Sequence, residues 1–132
     1  MTKLWKLKIT SNTSGKLAEW LCRMYMRLHG YRIIVKNYHC GTGKNTPCGE
    51  LDFIAVRGKR LVFCEVKERK NETNFLSALN YKQQQRILKG GLFFLSRNPQ
   101  YRQHTFQFDV FFVKLPFSVY RIKNALSYDK IS

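Results

Sequence analysis

Two stretches of the chain repeat apolar residues at helical spacing, and four shorter ones carry the β-branched and aromatic runs of strands. Ser14 can cap a helix that runs to about His29, with Gly30 just past its end. Leu17, Leu21, Met24 and Leu28 are its expected inner stripe. Tyr31 to Tyr38, centred on Ile33, Ile34 and Val35, reads as a strand. Residues 40–49, CGTGKNTPCG, read as a loop. Glu50 to Arg57 and Arg60 to Glu68 form a hairpin across Gly58-Lys59, where glycine in the first central position suits a type II′ turn. After a charged-to-polar connection, Asn80 caps a second helix that runs to about Ser96 and stops at Asn98-Pro99. Its expected stripe is Tyr81, Gln84, Leu88, Leu92 and Leu95. Thr105 to Lys114 is a further strand, and Ser118 to Leu126 a closing element. The order αβββαβ predicts an α/β fold, a mixed sheet flanked by helices. A chain of 132 residues with no internal repeat is one domain, large enough to bury a core.

Charge narrows the partner. Lys and Arg number 24 against 8 Asp and Glu, a formal net charge of +16. Hydrophobic content of 44% and aromatic content of 14% describe a folded globule and not a basic tail. A polyanion is the expected partner, and nucleic acid fits best, because neither a basic amphipathic helix nor a lipidation signal points to a membrane surface. Apolar runs such as residues 92–95 are far too short to span a bilayer. The first twelve residues, MTKLWKLKITSN, have no continuous apolar core and no small-residue cleavage site, so a cytoplasmic protein is expected.

Cys22, Cys40, Cys48 and Cys64 contain no CxxC pair. Cys22 and Cys64 sit in helical and strand patterns as small core residues. Cys40 and Cys48 flank a loop with His39 beside it, but structural zinc sites normally supply two close cysteine pairs. Reduced, unpaired thiols are expected.

The hairpin holds the candidate chemistry. Glu50, Asp52, Glu65 and Glu68, half of the 8 acids, fall within residues 49–70. With the turn centred between Gly58 and Lys59, Asp52 faces Glu65 and Glu50 faces Lys67. Alternation sets Glu50, Asp52, Glu65 and Lys67 on one face. Two carboxylates about 5 Å apart at an effective dielectric near 20 repel by about 3 kcal/mol. A proton, Lys67 or a divalent cation could each offset that. Magnesium favours one or two carboxylates completed by water and substrate phosphate, the donor set of phosphodiester hydrolysis. A lysine alongside can orient the water and stabilise charge growing on the phosphate. The plainer alternative is a solvated strand of mixed Glu and Lys.

Further residues fall into a recognisable series: Gly15-Lys16-x-Ala18-Glu19, Gly30-Tyr31-x-Ile33, Gly49-Glu50-Leu51-Asp52-Phe53-Ile54-Ala55, Leu61-Val62-Phe63-Cys64-Glu65-Val66-Lys67, Phe108-Asp109-Val110 and Arg121-Ile122-Lys123-Asn124-Ala125. Over roughly residues 14–126 the chain resembles the YraN-like family of small bacterial proteins. That family is similar to the PD-(D/E)xK, restriction-endonuclease-like nucleases and to archaeal Holliday-junction resolvases. The resemblance implies a restriction-endonuclease-like αβββαβ core and a Mg2+- or Mn2+-dependent endonuclease cleaving DNA, with branched or single-stranded substrates in view. It implies that Asp52 and Glu65 are metal ligands, that the Val66 carbonyl completes the set and that Lys67 handles the water. Glu19 matches an additional acid of the resolvase-like members, although it is expected to lie well around the helix from the Leu17, Leu21 and Leu28 stripe, where an i, i+4 pair with Arg23 explains it. Glu50 is either an auxiliary acid or the partner of Lys67. Many members carry lysine where this chain has Gln83, so Lys82, Gln83 and Gln84 are alternatives for the residue that reaches the site. The 41–47 loop is longer than usual, Cys64 replaces the common valine, and Glu68 follows Lys67 where a small residue is usual. Asp109 is expected to be a structural, hydrogen-bonding acid.

Substrate contacts are expected from Lys59, Arg60, Arg69, Lys70, Lys82, Arg86 and Lys89, with affinity that falls steeply with salt. No base-reading motif is visible, so recognition by nucleic-acid shape is expected. Junction cleavage would favour a homodimer. The rival reading is a non-catalytic nucleic-acid-binding module on the same fold, and a third is a basic scaffold component of a larger assembly.

Overall fold

The computed structural model describes residues 11–41, 47–68, 80–114 and 118–126. Helix α1 (Ser11–Leu28) leads into strands β1 (Arg32–Gly41), β2 (Pro47–Arg57) and β3 (Arg60–Glu68). Helix α2 (Tyr81–Arg97), a short 3-10 turn (Pro99–Tyr101) and strands β4 (Thr105–Lys114) and β5 (Ser118–Leu126) follow. The five strands lie in chain order across one sheet. Only β3 and β4 run parallel, because the crossover between them carries α2 while the other neighbours join by shorter connections. This α/β arrangement, a mixed sheet with two helices among the described residues, is consistent with a restriction-endonuclease-like core. The closing element is the fifth strand. The expected 40–49 loop is shorter than its Gly, Thr and Pro content suggests, since β1 and β2 stay paired out to Gly41 and Pro47.

Local chemistry fixes the element ends. Helix α1 ends in a Schellman motif: Gly30 at φ +88° donates to the Arg27 carbonyl, and Tyr31 N–H to that of Met26, both at 3.0 Å. Asn80 caps α2 by accepting from Gln83 N–H at 2.9 Å, while Gln83 Oε1 accepts from Asn80 N–H at 3.2 Å, a reciprocal capping box. Gly58 has φ +58° and Lys59 has no positive φ, as a type II′ turn requires. The pairs Arg57↔Arg60 through Phe53↔Cys64 carry the expected hairpin register.

The sheet separates two apolar layers. Leu51, Ile54, Val56, Leu61, Phe63, Phe108, Val110 and Phe112 pack with Ile87, Leu88 and Phe94 of α2. Phe53, Ala55, Val62, Cys64, Phe111 and Val113 pack with Ala18, Cys22 and Met26 of α1. Each helix buries only part of the stripe expected from its large apolar residues: Leu88 is in the core, and Leu21 and Leu95 pack at its edge. On α1 the inner face is Ala18, Cys22 and Met26, while Leu17 is 38% and Leu28 81% exposed. On α2 the inner face is Ile87, Leu88, Gly90, Gly91 and Phe94, and Tyr81 and Leu92 are exposed. The cause is close approach: small side chains let a helix sit down on the sheet. A Cβ on Gly49 of β2 would lie 2.4 Å from both the Arg86 carbonyl and the Gly90 nitrogen, so α2 rests backbone to backbone on β2.

Cys40 corrects another expectation. Cys22 and Cys64 are free and buried, but Cys40 is disulfide-bonded. Continued β1–β2 pairing brings the strand ends together, which supplies the short Cα separation a disulfide needs. Its partner's side chain lies outside the described ones.

Asp109 is the structural acid expected. Its buried carboxylate takes bonds from Arg121 at 2.7 Å, Gln107 Nε2 at 2.8 Å and Asn124 N–H at 2.9 Å, which compensates the cost of burying it.

Candidate active site

The site begins where strand pairing fails. β3 continues to pair with β4 through Glu68, and β2 continues to pair with β1 through Pro47, but β2 and β3 are not paired beyond Phe53 and Cys64. The sheet therefore parts between Asp52 and Glu65. Leu51 joins the α2-side layer and Phe53 the α1-side layer, although alternation would put both on one face. The backbone turns over at Asp52. Across β1 the residue between the pairs Lys36↔Phe53 and Tyr38↔Leu51 is Asn37, held at φ +51°. Asparagine is one of the few residues that enters this left-handed region readily.

The turnover aims Asp52 sideways into the gap. Its Oδ2 accepts the Val66 N–H at 2.7 Å, a group left without a backbone partner by the parting of the strands. The N–H and C=O of a strand residue point to the same side, so the Val66 carbonyl faces the gap too. The Glu65 carboxyl is hydrogen-bonded to that of Asp52. Burial, then the charge of Asp52, pushes Glu65 up to about 9 against the opposing pull of Lys67. Burial also raises Asp52, opposed by the Val66 and Glu65 hydrogen bonds. Both acids are thus pushed toward the protonated form, and one proton held between them relieves the repulsion of two buried carboxylates. Lys67 Nζ lies 3.6 Å from Glu65 Oε2.

Further acids approach from both layers. Glu50 sits between His39 Nδ1 at 3.5 Å and Arg86 Nη1 of α2 at 3.6 Å. Its charge is felt by both Asp52 and Glu65. Glu19 turns inward because the buried face of α1 is Ala18, Cys22 and Met26, which puts it beside that stripe and not around the helix from it. Burial raises its acid, the charge of Asp52 adds to this, and Arg23 opposes both. Arg23 Nη1 is 3.9 Å from Glu19 Oε1, and its Nε is buried with no hydrogen-bond partner. Cys22 lies under the acids: burial raises its thiol, and Asp52 and Glu19 raise it further.

Asp52, Glu65, Val66 and Lys67 are therefore brought together, with Glu50 and Glu19 close by. Gln83 is engaged in the cap of α2. Lys82, Arg86 and Lys89 are exposed along α2, and Arg86 reaches the site through Glu50. Lys59 and Arg60 are not brought to it: they occupy the hairpin tip, and six residues of strand span about 20 Å. There Arg60 bonds the Gln107 side chain. Arg69 and Lys70 lie outside the described residues. The Arg23–Glu19 pair is the i, i+4 contact expected, whereas Cys22 and His39 adjoin the acids without having been expected there, since their proximity follows from the helix rotation and from β1 pairing. No cluster of three or more His, Cys, Asp and Glu side chains with metal-binding geometry occurs among the described residues. No helix among them is long and apolar enough to cross a membrane.

Residues 18–113 match the sequence profile of the Uncharacterised protein family UPF0102. A UPF0102 protein of Ehrlichia ruminantium (strain Gardel) is 34% identical over 118 residues, covering 89% of this chain and 87% of the relative. One from Paramagnetospirillum magneticum is 36% identical over 99 residues, covering 75% of each chain. One from Chelativorans sp. (strain BNC1) is 34% identical over 96 residues, covering 73% of each. The chain belongs to the UPF0102 family, the family whose YraN-like motifs its sequence carries.

Proposed function

We propose that this protein is a Mg2+- or Mn2+-dependent nuclease of the PD-(D/E)xK kind, hydrolysing DNA phosphodiester bonds. The observation that carries the reading is the Asp52–Glu65 carboxyl pair, pressed together in the gap between β2 and β3 with Lys67 Nζ 3.6 Å from Glu65. Two largely buried acids that share one proton form an oxygen-rich site short of positive charge, which suits a hard dication. Asp52, Glu65 and the Val66 carbonyl would hold it. A bound dication polarises the phosphate and lowers the pKa of a bound water.

The chain's own residues supply the rest. Lys67 donates toward the attacking water or a non-bridging phosphate oxygen, holding charge as it develops. The Val66 N–H bond fixes the Asp52 carboxylate, so the acid pays little reorganisation on engaging substrate. Arg86, on the far side of Glu50, offers a cation to the next phosphate. The +16 charge draws the polyanion in.

A cleavage assay on supercoiled, linear, single-stranded and four-way-junction DNA tests this. Wild type, Asp52→Asn and Lys67→Met are compared in Mg2+, Mn2+ and EDTA. Cutting that requires metal and is lost in both variants supports the nuclease. Salt-sensitive binding without cutting on any substrate would leave the binding-module reading in its place.

A further inference from the structure

The exposed face of α2 carries an open concavity of about 500 Å3, adjoining the acids through Arg86. Pockets for small ligands run from about 300 to 1,000 Å3, so a single nucleotide is within its range. Its described lining includes Asn80, Tyr81, Lys82, Gln85, Arg86 and Lys89, with three cations and no acid. Lys82, Arg86 and Lys89 lie at helical spacing and make one basic flank. Beside them stands Tyr81, an aromatic ring 62% exposed. Its hydroxyl accepts a hydrogen bond from Gln85 Nε2 at 2.7 Å, which holds one end of the ring.

We propose that this concavity binds an unpaired nucleotide, its base stacked on Tyr81 and its neighbouring phosphates on Lys82, Arg86 and Lys89. Aromatic stacking beside a basic track is how single strands are held without sequence preference, because every base offers a π face. A base inside a duplex has no free face to offer. The inference rests on the nucleic-acid reading above and narrows the substrate to strands with unpaired nucleotides near the cleavage point.

Binding without catalysis tests it on the full-length chain. Fluorescence anisotropy in EDTA compares a labelled twelve-nucleotide thymidine strand, the matching uridine RNA and a blunt DNA duplex. Tyr81→Ala is expected to lose about tenfold or more in single-strand affinity and to leave duplex affinity unchanged, while Tyr81→Phe keeps both. The double variant Lys82→Gln/Lys89→Gln is expected to flatten the single-strand salt slope by about 1.4, or about 0.7 per phosphate. A single-strand loss on either DNA or RNA supports stacking and tells which sugar the site takes. Wild-type binding to single strand and duplex alike, with Tyr81→Ala unchanged on both, overturns this inference and leaves the nuclease reading standing. No salt-sensitive binding to any of the three overturns both. Melting curves of each variant show that it folds.

Discussion

The shared proton between Asp52 and Glu65 has a measurable consequence for stability in the metal-free protein. An acid whose folded pKa exceeds its unfolded value takes up protons on folding, so stability falls as pH rises between the two values. For Glu65 the fall begins near the ordinary value of 4.5 and is complete by about 9. Between pH 4.5 and pH 7 the loss is about 3 kcal/mol, at about 1.4 kcal/mol per unit. The repulsion of two carboxylates about 5 Å apart at an effective dielectric near 20 is also about 3 kcal/mol. Glu65→Gln removes the ionisation and keeps a donor for the Asp52 carboxylate. The variant should match wild type near pH 4.5 and exceed it by about 2–3 kcal/mol at pH 7, or about 10 °C in Tm for a domain of this size. Thermal melting by circular dichroism in EDTA, across pH 4.5–9, reads the difference directly. A gap between the two proteins that stays constant with pH would refute the shared proton. So would a variant less stable than wild type at pH 7. A gain in stability from removing a site residue is what a strained functional centre should give.

Other expectations follow from packing and polar satisfaction. Gly49→Ala pushes a Cβ into α2 backbone on both sides, so a loss of about 3 kcal/mol or more is expected in urea unfolding; Gly15→Ala, with nothing within 4 Å, should instead gain about 0.5–1 kcal/mol. Asp109→Ala strands the buried Arg121 guanidinium and should cost about 3–5 kcal/mol, and chemical denaturation that shows less than 1 would mean solvent reaches Arg121. Asn80→Ala removes one half of the α2 capping box and should cost about 1 kcal/mol, seen as faster amide exchange confined to the first turn of the helix.

The readable parts of the fold were those set by local rules. Gly58 at the turn and the alternation on either side gave the hairpin register, and with it the opposition of Asp52 and Glu65. Asn80 and Asn98-Pro99 marked the ends of α2 because capping and proline sterics act within a few residues. The helix faces were only partly readable from large apolar residues: Leu88 is buried as expected, but Ala18, Cys22, Gly90 and Gly91 are buried for their smallness, a property of the surface they meet. The turnover at Asp52 was equally hidden, since it depends on Asn37 in a neighbouring strand and on β2 leaving β3. Reading the acids as one flat face anticipated their proximity but missed that Asp52 points along the sheet into the gap and caps the Val66 N–H. The Cys40 disulfide was invisible because it depends on how far two strands stay paired past a loop of turn-forming residues.

On the proposed function, the Asp52–Glu65 pair exists to hold a divalent cation. Isothermal titration of Mn2+ into wild type and Asp52→Asn, both shown to be folded, tests it without requiring any substrate. One saturable site per chain in wild type, weakened at least tenfold in Asp52→Asn, is the predicted result. Equal affinity in the two proteins, or no saturable binding to wild type, would contradict it.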